Sequence, residues 1–408
     1  MMIAFIGDLQ YWKAEVENLE YKMKQIAAHE PDLAIVMGDF GGSKMRSIEG
    51  LEETKHHIDL IGCPWQAIMG NHDVEYNEEY MINYDPVATF REVFGKEPYS
   101  ATVIDGVLIL CVTIERQPLD TLRTIHAVYV SDEQYKWARE QLKKHEGMPT
   151  ILVTHAHMVG SGLRCDRPLH TSATDTYLEQ TFKPKRWQTL LKEFPQIKAW
   201  CSAHLHMGHN YDSAITYRDG VMHISCGVMT CCTRDESANT RFIDIKEGKL
   251  AVYTLDHNDD KELALDACLD LNSKNPPKGR YYIPQKGEIL VGAEDSPTAV
   301  YKHPYLDRYY VATEKELLWE YDAELWDFTG TVAYERKVKN LSADTDRLYI
   351  EFCDGEIRSI DPHSRKRWQY TDHINQEFLS EKELKGDILE ATPFTPFTKR
   401  EGVYVKFI

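Results

Sequence analysis

Basic residues are scarce: 47 Lys and Arg stand against 65 Asp and Glu in 408 residues, a formal net charge of −18. A protein that wraps nucleic acid non-specifically needs a basic surface to displace counterions, and docking on anionic lipid needs one too. Neither class fits. Long apolar runs are also missing, since the longest, residues 107–114, is far too short to span a bilayer. The opening Met-Met-Ile-Ala-Phe-Ile-Gly-Asp has neither the basic stretch nor the apolar stretch of a secretory signal. No two cysteines stand at Cys-x-x-Cys spacing, and adjacent Cys231 and Cys232 do not supply it, which speaks against a zinc knuckle. The nine cysteines are odd in number, and Cys63, Cys111 and Cys201 sit in hydrophobic stretches, as reduced structural thiols do. A cytoplasmic location is therefore expected. The oligomeric state stays open.

What is present is ordinary globular material, 42% hydrophobic and 27% charged, at a length that suits two domains. Residues 3–6, 33–37 and 65–69 read as buried strands. Between the first two, Val16, Leu19, Met23 and Ile26 keep the spacing of one helix face. Units of about thirty residues in this βαβαβ order fit right-handed crossovers onto a mostly parallel sheet. Further strands are expected at 101–103, 107–113, 150–154, 198–202, 214–218 and 222–225, with a capping box at Ser131-Asp-Glu-Gln134 opening a helix to His145. Hairpin turns at Asp105-Gly106, Asp219-Gly220 and Glu247-Gly248 suggest a mixed sheet or two stacked sheets. Residues 157–185 read as a long functional loop.

The chain changes character near 258. A short acidic helix over 259–271 and a linker at Asn275-Pro-Pro-Lys-Gly279 are expected, dividing the chain into 1–258, 259–280 and 281–408. The last part is β-rich and echoes itself. Asp307-Arg-Tyr-Tyr-Val and Asp346-Arg-Leu-Tyr-Ile stand 39 residues apart, Leu318…Asp322 and Ile357…Asp361 keep that offset, and Trp326 and Trp368 follow. This resembles a blade repeat of quinoprotein-type β-propellers. With two copies readable, a small β domain built on a duplicated four-strand unit is the expectation.

Five short segments each fall at the end of an expected strand: Gly7-Asp8-Leu9-Gln10, Gly38-Asp39-Phe40, Gly70-Asn71-His72-Asp73, Thr154-His155-Ala156-His157 and Ala203-His204-Leu205-His206. Carboxyl ends of strands in an α/β sheet converge on one rim, where ligands bind. A Gly-Asp after a strand is a common turn, and a lone histidine there is more often structural than a ligand. Joint occurrence of carboxylates, an amide and several histidines decides for a set of oxygen and nitrogen donors suited to divalent metals.

Here the chain resembles the calcineurin-like metallophosphoesterase superfamily, whose ordered signature runs Asp-x-His, Gly-Asp, Gly-Asn-His-Asp/Glu, His and Gly-His-x-His. The match covers roughly residues 1–255 and departs twice, at Gln10 for the first histidine and Ala203 for the last glycine. The resemblance implies an α/β fold, a four-layer αββα sandwich, here followed by the smaller β-rich domain. It implies two divalent metal ions, with Mn²⁺ ahead of Fe, Zn²⁺ or Mg²⁺ because an amide oxygen at Gln10 is harder and weaker than imidazole. Carried over by position, Asp8 and His206 hold metal one, with Gln10 in the missing histidine's place as a ligand or, alternatively, only hydrogen-bonded beside it; Asp39 bridges, and Asn71, His155 and His204 hold metal two. His72 is then a catalytic acid, with Asp73 fixing its tautomer. Such a pair of ions generates a bridging hydroxide that attacks phosphorus in line.

The Asp-x-Gln variant also resembles the branch containing manganese-dependent ADP-ribose/CDP-alcohol diphosphatases. A small nucleotide-like or organic phosphate is the expected substrate, whether diester, diphosphate or monoester. The phosphoprotein-phosphatase continuation Gly-Asp-x-x-Asp-Arg-Gly is replaced by Gly-Asp-Phe-Gly-Gly-Ser. Arg116, His157 and Arg164 are candidate substrate contacts, with Arg167, His209 and the tyrosines Tyr76, Tyr80 and Tyr84 behind them. The competing reading is a metal-binding, catalytically weak scaffold whose C-terminal domain recruits a partner or a glycan. A general acid at His72 favours the enzyme.

Overall fold

β1 (Met2–Ile6) is apolar throughout and shows why the first part of the chain is built in layers. Ile3 and Phe5 point into one buried cluster, while Ala4 and Ile6 point into another. A strand buried on both faces must be covered twice. β2 (Leu33–Val36) and β3 (Trp65–Ala67) continue in parallel from β1, with α1 (Val16–Ala27) and α2 (Ile48–Asp59) as crossovers. Ser47 caps α2 by accepting from Gly50 N. A four-residue helix, α3 (Asn71–Val74), follows β3, then α4 (Pro86–Phe94).

The second sheet begins with the hairpin β4 (Ser100–Ile104) and β5 (Val107–Cys111) and adds β6 (Thr150–Val153), β7 (Ile197–Ser202), β8 (Ile215–Arg218) and β9 (Val221–Ser225). Its order is β4-β5-β6-β7-β9-β8, with β5, β6, β7 and β9 parallel. α5 (Asp132–Lys144) and α6 (Arg186–Glu193) belong to the same half of the chain. The chain then returns to the first sheet with β10 (Asn239–Lys246), β11 (Lys249–Asp256), β12 (Ala264–Asp270) and β13 (Lys278–Gly279), giving the order β13-β12-β11-β10-β1-β2-β3. Ile35, Met37, Ile109, Val153, Cys201 and Ile224 fill the space between the sheets. Leu19 and Met23 of α1, and Ala138 and Leu142 of α5, pack on the outer faces. This is the αββα sandwich.

The computed structural model describes residues 1–10, 16–40, 47–75, 85–119, 121, 127–163, 176–180, 182–230, 233, 237–259, 262–284, 288–292, 296–314, 316–324, 327–333, 336–360 and 403–406. Among these, no helix is long and apolar enough to cross a membrane. Cys63, Cys111, Cys201, Cys226, Cys268 and Cys353 carry free thiols.

The expected helix at 259–271 is instead the strand β12. Ala267, Leu269 and Leu271 alternate into the cluster between the sheets while Leu265 is left exposed, and that period of two prevails over the helix-forming propensity of the individual residues. The expected linker contributes β13 and continues as Tyr282, whose N–H donates to Ile215 O at the edge of β8.

Beyond it, β14 (Glu288–Gly292) pairs with β22 (Val403–Lys406). β15 (Pro297–Lys302), β16 (Arg308–Thr313), β17 (Leu317–Asp322) and β18 (Asp327–Ala333) form a four-stranded meander, and β19 (Val338–Ala343), β20 (Leu348–Phe352) and β21 (Ile357–Ile360) a three-stranded one. The two repeat copies fall on β16–β17 and β20–β21. One cluster containing Tyr310, Leu318, Leu348, Ile350 and Ile360 joins them. Trp326, Asp361 and Trp368 lie outside the described residues.

Candidate metal centre

Each of the five segments follows a strand of one of the two sheets, and the sandwich brings their tips together. Asp8 and Gln10 follow β1, Asp39 follows β2, Asn71 and His72 open α3 after β3, His155 follows β6, and His204 and His206 follow β7. Asp8, Asp39 and His155 are completely buried, and Asn71, His204 and His206 nearly so. The backbone is bent to achieve this. Gln10, Asp39, His204 and His206 all have positive φ, between 25° and 68°. For residues with a Cβ that is an unfavourable region, and away from tight turns it collects at functional sites. Gly70 lets the segments close up, since a Cβ there would lie 2.1 Å from Asp39 Oδ1 and 2.7 Å from His155 Cε1.

The donor atoms form two overlapping groups. Asp39, His155 and His204 offer ligand atoms within 4.8 Å of one another, and so do Asp8, Asp39 and His206. Asp39 belongs to both. A carboxylate with two acceptor oxygens suits that shared place. His206 Nε2 lies 3.2 Å from Asp8 Oδ1, and His204 N donates to Asp8 Oδ2 at 2.8 Å. His155 Nδ1 lies 2.7 Å from Met37 O and donates to it, which turns Nε2 inward. There it faces His204 Nδ1 at 3.2 Å, Asn71 Oδ1 at 3.1 Å and Asp39 Oδ2 at 3.4 Å.

So many acceptor atoms converging in a dry place call for a cation. The titration of the same groups agrees. Burial works against a charged His155, yet Asp39 and Asp8 push it up to about 10. Burial likewise raises Asp8 and Asp39, but the histidines hold both well below the usual carboxylate range. The residues present fit divalent cations.

The geometry bears on two further roles. Gln10 reaches the centre through its amide, Nε2 donating to Asp39 Oδ2 at 2.8 Å, the hydrogen-bonding one of its two expected roles. Asp73 is not engaged with the His72 ring. Its carboxylate accepts the N–H groups of Gly70 at 2.7 Å, Asp39 at 2.8 Å and Phe40 at 3.0 Å, tying the second segment to the third. Burial, then the charge of Asp39, push Asp73 up to about 7. Beside the His72 ring stands Glu75, which the sequence reading missed, with both carboxylate oxygens within 3.2 Å of Nδ1. His72 N donates to Asp39 Oδ1 at 3.0 Å.

The substrate candidates fare unequally. Arg116 Nε donates to Val74 O at 3.0 Å, next to the third segment. His157 is turned into the core, 1% exposed, with neither ring nitrogen partnered and its edge on Tyr177 at 5.1 Å between ring centres. Burial pulls it down to about 3, so it is a neutral core histidine, contrary to the expected substrate contact. His209 Nε2 lies 3.6 Å from Asp256. Arg164, Arg167, Tyr76, Tyr80 and Tyr84 lie outside the described residues.

The model of the calcineurin-like phosphoesterase family matches residues 1–208, just over half of the chain. The chain belongs to that family. This calcineurin-like phosphoesterase is thus a metal-dependent phosphoester hydrolase. Among solved structures, a dimetal phosphatase from Danio rerio is 11% identical over 65% of this chain and 98% of its own, with a TM-score of 0.48. The TT1561 protein of Thermus thermophilus is 12% identical over 66% of this chain and 99% of its own, with a TM-score of 0.36. A phosphatase from Mycoplasma pneumoniae is 13% identical over 66% and 92%, with a TM-score of 0.34. No curated protein matches the sequence.

Proposed function

We propose that this phosphoesterase hydrolyses a small nucleotide-like or organic phosphate, as diester, diphosphate or monoester, with two divalent cations sharing Asp39. The observation that carries this reading is the pair of donor groups with Asp39 common to both. Asp8 and His206 hold one cation with Asp39, and Asn71, His155 and His204 hold the other. Bound there, the two ions would act as Lewis acids on the phosphoryl oxygens and make water a nucleophile at neutral pH. With Gln10 standing where an imidazole is usual, the set has one histidine fewer, three oxygen ligands (Asp8, Asp39, Asn71) beside three imidazoles, and suits Mn²⁺ ahead of Zn²⁺.

The remaining work falls to the chain itself. Gln10 Nε2 on Asp39 Oδ2 and Met37 O on His155 Nδ1 orient two of the ligands, and Asp73 locks the backbone that presents Asp39. His72, about 30% exposed in its side chain, stands at the rim and protonates the leaving oxygen as its bond to phosphorus breaks. Purified protein with Mn²⁺ is expected to turn over bis-p-nitrophenyl phosphate, and Asp39→Asn to abolish that turnover. A screen over cyclic nucleotides, dinucleotides, ADP-ribose, CDP-alcohols and phosphomonoesters then ranks the substrates. Metal-loaded protein that turns over none of them faster than Asp39→Asn would refute the reading.

A further inference from the structure

We propose that Glu75 is the positioning residue of His72, fixing which ring nitrogen that histidine offers to the substrate. The inference rests on the reading of His72 as the proton donor. The two oxygens of Glu75 stand 3.1 and 3.2 Å from His72 Nδ1. The Glu75 side chain is 6% exposed, so this contact is made largely out of water, where a charge-assisted hydrogen bond is strong. An ionised carboxylate only accepts, so Nδ1 carries the hydrogen, and Nε2 is the ring nitrogen that remains to serve the substrate in turnover.

The local fold explains why the residue is 75 and not 73. α3 is a single turn, with Gly70 as N-cap and Asp73 folded back onto Gly70 N. Residues one apart on a helix face different ways, whereas residues three apart are neighbours. Asp73 therefore serves the backbone, and Glu75, three residues after His72, meets its ring. The helix ends there, Glu75 turning to extended backbone with ψ 154°. Arg116 braces this exit by donating to Val74 O. His72 is thus held at its main chain by Asp39 and at its ring by Glu75. When the phosphorus–oxygen bond to the leaving group breaks, the departing oxygen takes the proton from Nε2. The ring is left neutral with its hydrogen on Nδ1, still directed at Glu75.

Two readouts test this, using Glu75→Ala and Glu75→Gln, whose amide oxygen still accepts from Nδ1–H. The first is ¹⁵N NMR of the imidazole in metal-free protein, which reports the tautomer without any turnover. Wild type and Glu75→Gln are expected to keep the Nδ1–H form, and Glu75→Ala to move toward Nε2–H. The second compares a diester with an alkyl leaving group, which needs a proton, with a p-nitrophenyl diester, which hardly does. Glu75→Ala is expected to lose about a hundredfold in kcat on the alkyl ester at constant KM, within the usual range for general acid catalysis. Its loss on the p-nitrophenyl ester should stay below about threefold by the same argument, and Glu75→Gln should recover part of the alkyl activity. An unchanged tautomer in Glu75→Ala, or equal losses on both esters, would overturn the proposal. If wild type hydrolyses neither ester, the functional reading fails, and the NMR result still decides whether Glu75 sets the ring.

Discussion

At the scale of single residues, the centre depends on how closely its segments approach. Gly70 has no room for a methyl, because the Cβ would meet Asp39 and His155 together. Gly70→Ala is therefore expected to weaken metal binding at least tenfold while the far-ultraviolet circular dichroism stays native, and unchanged metal affinity by calorimetry would count against this packing. Away from the centre, Glu179 offers a pH test. Its carboxylate is buried against Arg186 and Trp187 Nε1, yet burial pushes it up to about 7 from the usual 4.5, with Arg186 opposing. A carboxyl whose folded pKa is raised stabilises the fold fully below pH 4.5 and loses that contribution as pH rises through 7. A rise of that size corresponds to at most about 3 kcal/mol. Glu179→Gln is expected to flatten the fall in stability between these pH values in denaturant titrations. A slope identical to wild type would show that Arg186 keeps the carboxylate ionised throughout.

At the scale of elements, β12 has the largest consequence. A bulge in its pairing with β11, between Val252 and Tyr253, leaves Asp266 without a partner across the ladder and turns it inward. There it accepts from Arg241, a fully buried guanidinium that also donates to Ser225 O, and from Arg280 at 2.7 Å. Arg280 in turn donates to His209 O at 2.7 Å, three residues after His206. Asp266→Ala would leave Arg241 buried without its counter-ion, and a loss of about 3–5 kcal/mol in unfolding free energy is expected. A loss below about 1 kcal/mol would mean that the other acceptors of Arg241, Ser225 O and the Thr254 hydroxyl, suffice.

This network was not legible in the sequence, because it depends on a bulge and on contacts between distant strands. The alternating leucines of β12 were legible, but the acidic composition favoured helix. The five strand-end segments were readable because each donor stands next to its own strand, and the sheet does the gathering. Glu75 was hidden for the opposite reason. Its relation to His72 exists only once residues 71–74 coil into a turn.

At the scale of the molecule, the segment expected as linker is part of the first sheet, which moves the place where the chain can be cut. A chain ending at 275 loses β13 and Arg280, whereas one ending at 284 keeps both along with Tyr282 on β8. The longer fragment is expected to fold and bind metal, and the shorter to be less stable by thermal melting. Equal stability would mean that the strap is dispensable. Beyond 284, Lys185 just before α6 meets Asp322 and Glu324 of the β-rich part at 3.2 and 3.1 Å, a surface contact of modest strength.

The net charge of −18 also takes on a local meaning. Asp8 and Asp39 are the only carboxylates proposed as ligands, and two divalent cations would exceed them by about two charges, making the cleft attractive to a phosphate within an acidic protein. That claim has a direct measurement, elemental analysis of purified protein after loading with Mn²⁺ and removal of free metal. Two ions per wild-type chain and fewer than one per Asp39→Asn chain are expected, because the shared ligand is lost from both groups at once. Two ions retained by Asp39→Asn, or none held by wild type, would contradict the shared-carboxylate centre.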